Sequence, residues 1–230
     1  MIGGGGVEKN LFLIANYFSH QFQKVSIIST SKEYKNKFNK NIEFINPRND
    51  FWCKFKNRRL KIIICLFLLV KYYFNSHKFT VLSFQGNLYC CLLCKILKIK
   101  IILRSNASIT GWSKGFVKHF LYKIISKMAD KIIVNSQEFQ NEYKKKFNIK
   151  THCIYNPLNK KEIIKNSKKR INFSFFKKDT INFINIGRLV DQKDHITILK
   201  SFTKLKKKTD YKFRLLIIGD GINKNSLNEY

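Results

Sequence analysis

Apolar and polar positions alternate along the chain with two different periods, which predicts helices and strands in turn. Leu11, Ile14 and Phe18 recur at helical spacing, and residues 25–29 then have the β-branched character of a strand. Further strands are predicted at 42–45, 79–84, 100–103, 131–134 and 152–155, with helices at about 54–75, 116–127 and 137–147 and another that contains Cys91 and Cys94. This alternation is typical of an α/β chain, in which helices cover both faces of a parallel sheet.

A second strand-helix-strand pattern begins at Ile181, after a polar and basic stretch that has no apolar period. Pro157 ends the last strand of the first pattern, because proline cannot donate to a strand ladder. We therefore predict a first domain over residues 1–159, a connecting segment over 160–179 and the start of a second domain over 180–230.

The second pattern contains a candidate anion site. Its sequence is INFINIGRLVDQKDHITILKSFTKLKKKTDYKFRLLIIGDG, a strand, a Gly-Arg turn, an amphipathic helix and a strand that ends in Gly-Asp-Gly. A strand that passes through a glycine turn into a helix directs backbone N–H groups and the helix N-terminus at one point, which suits a phosphate. Arg188 and Lys193 flank that point, and a planar guanidinium with a mobile ammonium can together bind a diphosphate.

The chain is strongly basic. It has 45 Lys plus Arg against 14 Asp plus Glu, and this formal charge of +31 favours a nucleic-acid or anionic-membrane partner. The basic residues are spread along the whole length, however, and the richness in Lys, Asn, Ile and Phe matches codons biased toward A and T. No RNA-binding signature or zinc-finger spacing occurs. Nucleic-acid binding therefore stays open only as the weakest of the functions considered for this chain.

Six cysteines and one long apolar run complete the composition. Cys91 and Cys94 form a single CxxC pair on an apolar helix face, which favours core packing over zinc binding. No secretory signal pattern is present, so a cytoplasmic, reducing setting is predicted. The apolar run at 62–70 is well short of the roughly 20 residues that span a bilayer, and predicts a buried or surface-lying helix.

Four segments resemble the family-4 (group 1) glycosyltransferases in the order expected for that family. They are GGGGVEKNLFLIANYF, ADKIIVNSQEF, CIYNPLN and GRLVDQK, of which the last is the most specific. The resemblance covers most of the chain and implies the GT-B fold, with two Rossmann-like parallel-sheet domains, the second of them truncated here. In that family the acceptor lies mostly on the first domain and the nucleotide-sugar on the second.

The resemblance implies a retaining glycosyltransferase that moves a sugar from a nucleotide-sugar to a lipid-linked or polysaccharide acceptor of the cell envelope. Arg188 and Lys193 match the pair that binds the donor diphosphate, and they would stabilise the charge on the leaving group. No metal and no other cofactor is expected. The setting implied is the cytoplasm, at the inner face of the cell membrane, where the helix at 60–74 and its lysine-rich flanks could lie against anionic lipid.

The remaining candidate residues fall into two groups. Donor and nucleotide binding is assigned to Gly187, Arg188, Lys193, Gly219, Asp220 and Gly221. A phosphate or acceptor loop is assigned to Gly4, Gly5, Gly6, Arg104 and Asn106. Residues 104–115 lack an apolar period and predict a loop at the carboxyl end of a strand, where Arg104 suits an anion and Asn106 a sugar hydroxyl. The five histidines have no partnering motif and are assigned structural roles.

Two departures from the family pattern limit the assignment. Family members open with a full strand before the glycine loop, central in the first sheet, whereas only Met1 and Ile2 precede Gly3. They also carry two glutamates seven residues apart later in the second domain, beyond the point that corresponds to Tyr230. These departures predict a fragment, and they keep open a catalytically inactive remnant of such an enzyme. The sequence identifies neither the sugar, the nucleotide nor the acceptor.

Overall fold

The computed structural model describes residues 5–49, 51–54, 57–76, 78–106, 108–109, 115–169 and 173–229. The chain divides into two compact units, Met1–Ile163 and Ile164–Tyr230. In both units the described strands pair in parallel, which confirms the α/β class predicted from the alternating pattern.

The described strands of the first unit form two sheets. The smaller sheet pairs β1 (Ser26–Ile28) with β2 (Glu43–Ile45). The larger sheet has the order β3-β4-β5-β6, with strands Thr80–Ser83, Lys100–Ser105, Lys131–Val134 and His152–Cys153. Because each strand of the larger sheet pairs in parallel with the next, the chain must cross back between them, and helices make these crossings.

The described helices of this unit are α1 (Gly6–Gln21), α2 (Phe51–Lys54), α3 (Arg58–Asn75), α4 (Asn87–Ile96), α5 (Phe116–Met128) and α6 (Gln137–Phe147), and α7 (Lys160–Ser167) follows them in the chain. Helix α3 is capped by the Asn57 side chain, which accepts a hydrogen bond from the Arg59 N–H at 2.9 Å. The Ser136 hydroxyl caps α6 by accepting from the Phe139 N–H at 3.2 Å. Both caps satisfy N–H groups that the first helical turn leaves without an intrahelical partner.

The main core lies between the larger sheet and its helices. Alternate residues of β4 and β5 point into it, and α6 adds Tyr143 and Phe147. Cys91 and Cys94 of α4 are completely buried in the same cluster, which confirms the packing role predicted for them. Burial raises the pKa of the Cys91 thiol to about 11, so this thiol stays protonated at neutral pH.

The two sheets of the first unit do not join within the described part of the chain. Strand β1 pairs only with β2, and β3 pairs only with β4. Each of β1 and β3 therefore presents one strand edge whose N–H and C=O groups meet no neighbouring strand there. A smaller core of Ala15, Ile27, Phe38 and Ile42 lies between α1 and the β1-β2 sheet.

Helix α3 is the long apolar helix predicted from the run at 62–70. Leu69 is buried against the main core, whereas Ile63 and Phe67 are 60% and 68% exposed. The prediction of a buried or surface-lying helix is thus confirmed. Among the helices that the structure describes, none combines the length and apolar character needed to cross a bilayer.

The second unit is built around one strand-helix-strand motif. Strands β7 (Ile181–Ile186) and β8 (Phe213–Ile218) pair in parallel along their whole lengths, and α8 (His195–Lys208) connects them. The ring of Phe202 in α8 packs on those of Phe183 and Phe213, with centroids 5.0 and 5.5 Å apart. Helix α8 therefore covers one face of the strand pair, as the amphipathic pattern predicts. A short helix at Lys224–Glu229 follows.

Several predicted boundaries are wrong. Strand β4 continues through Arg104 and Ser105, so the first two residues of the loop predicted over 104–115 belong to the strand. The pairing of Ser105 with Val134 explains the extension, because β5 offers ladder partners up to that point. Strand β6 is two residues long, whereas the sequence predicts 152–155.

The connecting segment predicted over 160–179 also contains regular structure. A helix occupies Lys160–Ser167, eight residues with Glu162 in its first turn and Lys165 in its last. The Asn159 side chain caps this helix by accepting from the Glu162 N–H at 3.2 Å, which supports a helix without any apolar stripe. All of its residues are exposed, which is why the apolar period that normally signals a helix is missing.

Candidate functional site

The two strands of the second unit end side by side, and each continues into a glycine turn. The Gly187 N–H, after β7, donates to the Ile218 carbonyl at 3.0 Å. The Leu189 N–H donates to the carbonyl of Asp220, in the turn after β8, at 2.9 Å. The two turns are therefore joined backbone to backbone at the carboxyl edge of the sheet, where parallel sheets bind ligands.

Glycine is needed at two positions for this close approach. A Cβ on Gly219 would overlap the Gly187 carbonyl oxygen, and one on Gly221 would overlap the Leu189 carbonyl oxygen. The requirement is steric and arises from the neighbouring backbone. The sequence predicts Gly219, Asp220 and Gly221 as nucleotide-binding residues; they lie against the Gly-Arg turn, and their contact with a nucleotide stays a prediction.

Arg188 and Lys193 project from this pair of turns. The side chain of Arg188 is exposed on the turn after β7, and Lys193 is exposed at the end of a 3₁₀ turn over Asp191–Lys193. A Cβ on Gly187 would lie 3.8 Å from Lys193 Cγ, so the lysine stem passes beside the Gly-Arg turn. Neither side chain has a hydrogen-bond or carboxylate partner within the described ranges. Two exposed cations that no described residue pairs thus belong to the turn after β7 and the 3₁₀ turn that follows it.

The N-terminus of α8 is capped by a side chain of the same chain. Asp194 caps it, with its carboxylate accepting from the Thr197 N–H at 3.3 Å and from the Thr197 hydroxyl at 2.8 Å. This carboxylate accepts from one of the N–H groups that an external anion would use and adds a negative charge at the helix end. The strand-turn-helix pattern predicts a phosphate at this helix end. The spacing of residues alone does not show that the Asp194 side chain turns back to cap the helix. Anion binding at this surface would therefore depend mainly on the two basic side chains.

His195 is a candidate residue that the sequence analysis treats as structural. It is 3% exposed, and neither ring nitrogen has a hydrogen-bond partner within the described chain. Its Nε2 would lie 3.9 Å from a Cβ on Gly187. A buried imidazole without partners is unusual, since buried polar groups are normally hydrogen-bonded. The only sequence signal is its position two residues after Lys193.

Arg104, in the first unit, is only 2% exposed. Its guanidinium donates from Nη2 to Asn156 Oδ1 at 2.9 Å and lies over the Phe84 ring. Burial lowers the pKa of this group, and no acidic side chain in the described residues pairs with it. The visible role of Arg104 is to join the end of β4 to the segment after β6. Binding of an anionic group at Arg104 stays a prediction.

The other first-unit candidates are partly described. Asn106 donates from Nδ2 to the Phe84 carbonyl at 3.3 Å, and its Oδ1 is buried without a described partner. Gly5 and Gly6 form the N-terminus of α1, and a Cβ on Gly6 would meet no atom within 4 Å. Gly4 lies outside the described residues. The structure brings Gly187, Arg188, Lys193, Gly219, Asp220 and Gly221 together in the second unit, whereas Gly5, Gly6, Arg104 and Asn106 lie in the first.

Comparison with known proteins follows the same division of the chain. The family model described as Glycosyltransferase Family 4 matches residues 4–162, and the model described as Glycosyl transferases group 1 matches residues 166–230. An uncharacterized glycosyltransferase of Methanocaldococcus jannaschii is 33% identical over 152 residues, which are 60% of this chain and 37% of that protein.

Solved structures show the same fold. The Anabaena protein Alr3699/HepE in complex with UDP is similar with a TM-score of 0.66 at 12% identity, and its complex with UDP and glucose with a TM-score of 0.63 at 13% identity. This chain is covered completely and spans 62% of HepE in both comparisons. HepE has the GT-B architecture, which confirms the fold expected from the four segments. Because residues 4–162 match one family model and residues 166–230 match the other, the chain belongs to the family-4, group 1 glycosyltransferases.

Proposed function

We propose that the protein is a retaining glycosyltransferase that transfers a hexosyl group from a nucleotide-sugar to a lipid-linked or polysaccharide acceptor. The observation that carries the proposal is a pair of exposed cations, Arg188 and Lys193, which have no partner among the described residues and lie next to the joined glycine turns. The UDP and glucose bound to HepE support a nucleotide-sugar as donor. Family membership supports the transferase class.

The chemistry required of the two cations is specific. Transfer breaks the bond between the anomeric carbon and the diphosphate oxygen, and negative charge develops on the diphosphate as it leaves. The guanidinium of Arg188 can donate two parallel hydrogen bonds to phosphate oxygens, and Lys193 adds a mobile point charge. Interactions that strengthen as this charge develops accelerate the reaction. We propose that these side chains stabilise the negative charge on the leaving diphosphate and that the reaction requires no metal ion.

The acceptor is proposed to lie on the first unit. Gly4, Gly5, Gly6, Arg104 and Asn106 are the residues that the resemblance assigns to it. A lipid-linked acceptor would bring the protein to the inner face of the cell membrane, and α3 offers exposed apolar side chains for such contact, including Ile63, Phe67 and Phe74.

Turnover of single-site variants tests this function. Purified protein is incubated with UDP-, GDP- and ADP-linked hexoses and with lipid extract, and release of nucleoside diphosphate is followed with the anomeric configuration of the product. Arg188→Ala and Lys193→Ala should each lower kcat by about 10²–10³, as the loss of one charge-stabilising donor does. Lys200→Ala, on the exposed side of α8, removes the same charge and should leave turnover unchanged. Normal turnover in both site variants, or an inverted product, would contradict the proposal.

A further inference from the structure

Helix α5 has two apolar faces. On one side Tyr122 and Ile125 pack against the main core of the first unit. The other side carries apolar residues at helical spacing that are 43–68% exposed: Val117, Phe120, Leu121 and Ile124. A surface helix of a globular protein normally has one apolar stripe, facing the core. A second stripe, facing solvent, marks a contact surface.

Helix α4 also carries exposed apolar side chains. It packs beside α5, and the Cys91 thiol donates to the Ile125 carbonyl at 3.3 Å between the two helices. On α4, Leu92 is 44% exposed and Ile96 is 70% exposed. We call the six exposed side chains of the two helices the α4–α5 face: Leu92, Ile96, Val117, Phe120, Leu121 and Ile124.

Basic side chains outnumber acidic ones in the described residues around the α4–α5 face. Neither α4 nor α5 contains an Asp or Glu residue. Lys98, Lys118 and Lys127 are exposed on or next to these helices, and none forms an ion pair with a described residue. Lys95, in contrast, pairs with Asp130 at 2.8 Å. The face therefore combines apolar side chains with three lysines that no described carboxylate pairs.

This combination decides between possible occupants. A second copy of the chain would bring the same unpaired lysines together across the interface, which like-charge repulsion disfavours. A nucleic acid would neutralise the lysines but leave the apolar side chains in water. A bilayer with anionic headgroups would bury the apolar side chains and neutralise the lysines. The apolar side chains enter the boundary of the acyl chains, and the lysines bind the headgroups.

We propose that the α4–α5 face docks on an anionic membrane surface, with α4 and α5 lying along it. This adds a second surface to the contact proposed for α3, which has packing contacts with α4. Docking rests on the proposed function in one respect, since a lipid-linked acceptor is the reason for the protein to bind a membrane.

Vesicle sedimentation of the 230-residue chain tests the proposal. The vesicles contain phosphatidylcholine alone or phosphatidylcholine mixed with phosphatidylglycerol. Wild type should bind the mixed vesicles, and the double variant F120Q/L121Q should bind them at least about tenfold more weakly, since it removes two large apolar groups. The variant K118Q/K127Q should lose about tenfold on mixed vesicles and nothing on neutral ones. Added salt should weaken wild type but change this second variant less.

A matched control and two further readouts make the result decisive. Y17Q/F22Q replaces two side chains of α1 and its C-cap that are 62% and 58% exposed, and it should bind like wild type. Circular dichroism melting shows that each variant is folded, and sedimentation velocity reports the oligomeric state. Equal vesicle binding by wild type and F120Q/L121Q overturns the proposal, as does a wild-type dimer that this variant dissociates. UDP binding is measured separately, so failure to dock is distinguishable from failure of the proposed transferase.

Discussion

At the scale of single residues, the basic side chains of this chain divide into two kinds. Arg188 and Lys193 are exposed without a described partner, and their charge is available to a ligand. Arg104 is buried, and its hydrogen bonds go to the protein itself. The motif around Arg188 and Lys193 could be predicted from sequence because both residues sit at fixed distances from a glycine turn. The burial of Arg104 could not, because it depends on two further residues of β4 pairing with β5.

The joined glycine turns provide a prediction at this scale. Gly219→Ala and Gly221→Ala should each lower the free energy of unfolding by about 1–3 kcal/mol, because the added Cβ overlaps a carbonyl oxygen of the neighbouring turn. Urea denaturation measures the change. Gly6→Ala is the control, since a Cβ there meets no atom within 4 Å. Equal stability of all three variants would show that the two turns do not lie as close as the structure has them.

At the scale of secondary-structure elements, Arg104 joins β4 to the segment that follows β6. Arg104→Ala should destabilise the first unit by about 2–4 kcal/mol, because it truncates a buried side chain and leaves the Asn156 amide oxygen without its donor. Arg104→Met keeps most of the volume and removes a buried charge, so it should cost less than the alanine variant. The midpoint of urea denaturation measures both. A larger loss for Met than for Ala would contradict a packing role.

Asp130 joins three elements of the same unit. Its Oδ2 accepts from the Ile101 N–H at 2.7 Å and from Lys95 Nζ at 2.8 Å, so it ties the start of β4 and the end of α4 to the turn before β5. The backbone hydrogen bond from Ile101, with the contribution of Lys95, lowers the pKa of this carboxyl. A lowered folded-state pKa gives stability that is present above the unfolded-state value of about 4 and is lost as pH falls through the folded value.

Acid stability of the Asp130→Asn variant checks this contact. The wild-type chain should lose stability below about pH 4, and the variant should show a shallower loss over the same range because it has no carboxyl to protonate. At neutral pH the variant should already be the less stable of the two. Urea denaturation at several pH values provides the comparison. Parallel pH profiles for the two proteins would exclude a stabilising role for the Asp130 charge.

At the scale of the whole molecule, the α/β class and the order of most elements could be predicted, because parallel strands between helices leave long apolar runs at regular spacing. The separation of the β1-β2 sheet from the larger sheet is a property of strand pairing that no local pattern encodes. The helix at Lys160–Ser167 was missed because every one of its residues is exposed. Three side-chain features also escaped sequence analysis, because residue spacing alone does not give side-chain orientation or burial: the Asp194 cap, the buried His195 and the second apolar face of α5.

Diphosphate recognition by Arg188 and Lys193 is the central claim, and calorimetric binding of UDP and UMP tests it most directly. Wild type should bind UDP at least about tenfold more tightly than UMP, because charge-assisted hydrogen bonds to the second phosphate contribute about 1.5–3 kcal/mol. In the double variant R188A/K193A this preference should vanish, whereas K200A/K204A, which removes the same charge from exposed positions of α8, should keep it. Equal preference for UDP in wild type and R188A/K193A would contradict the assignment of the donor site.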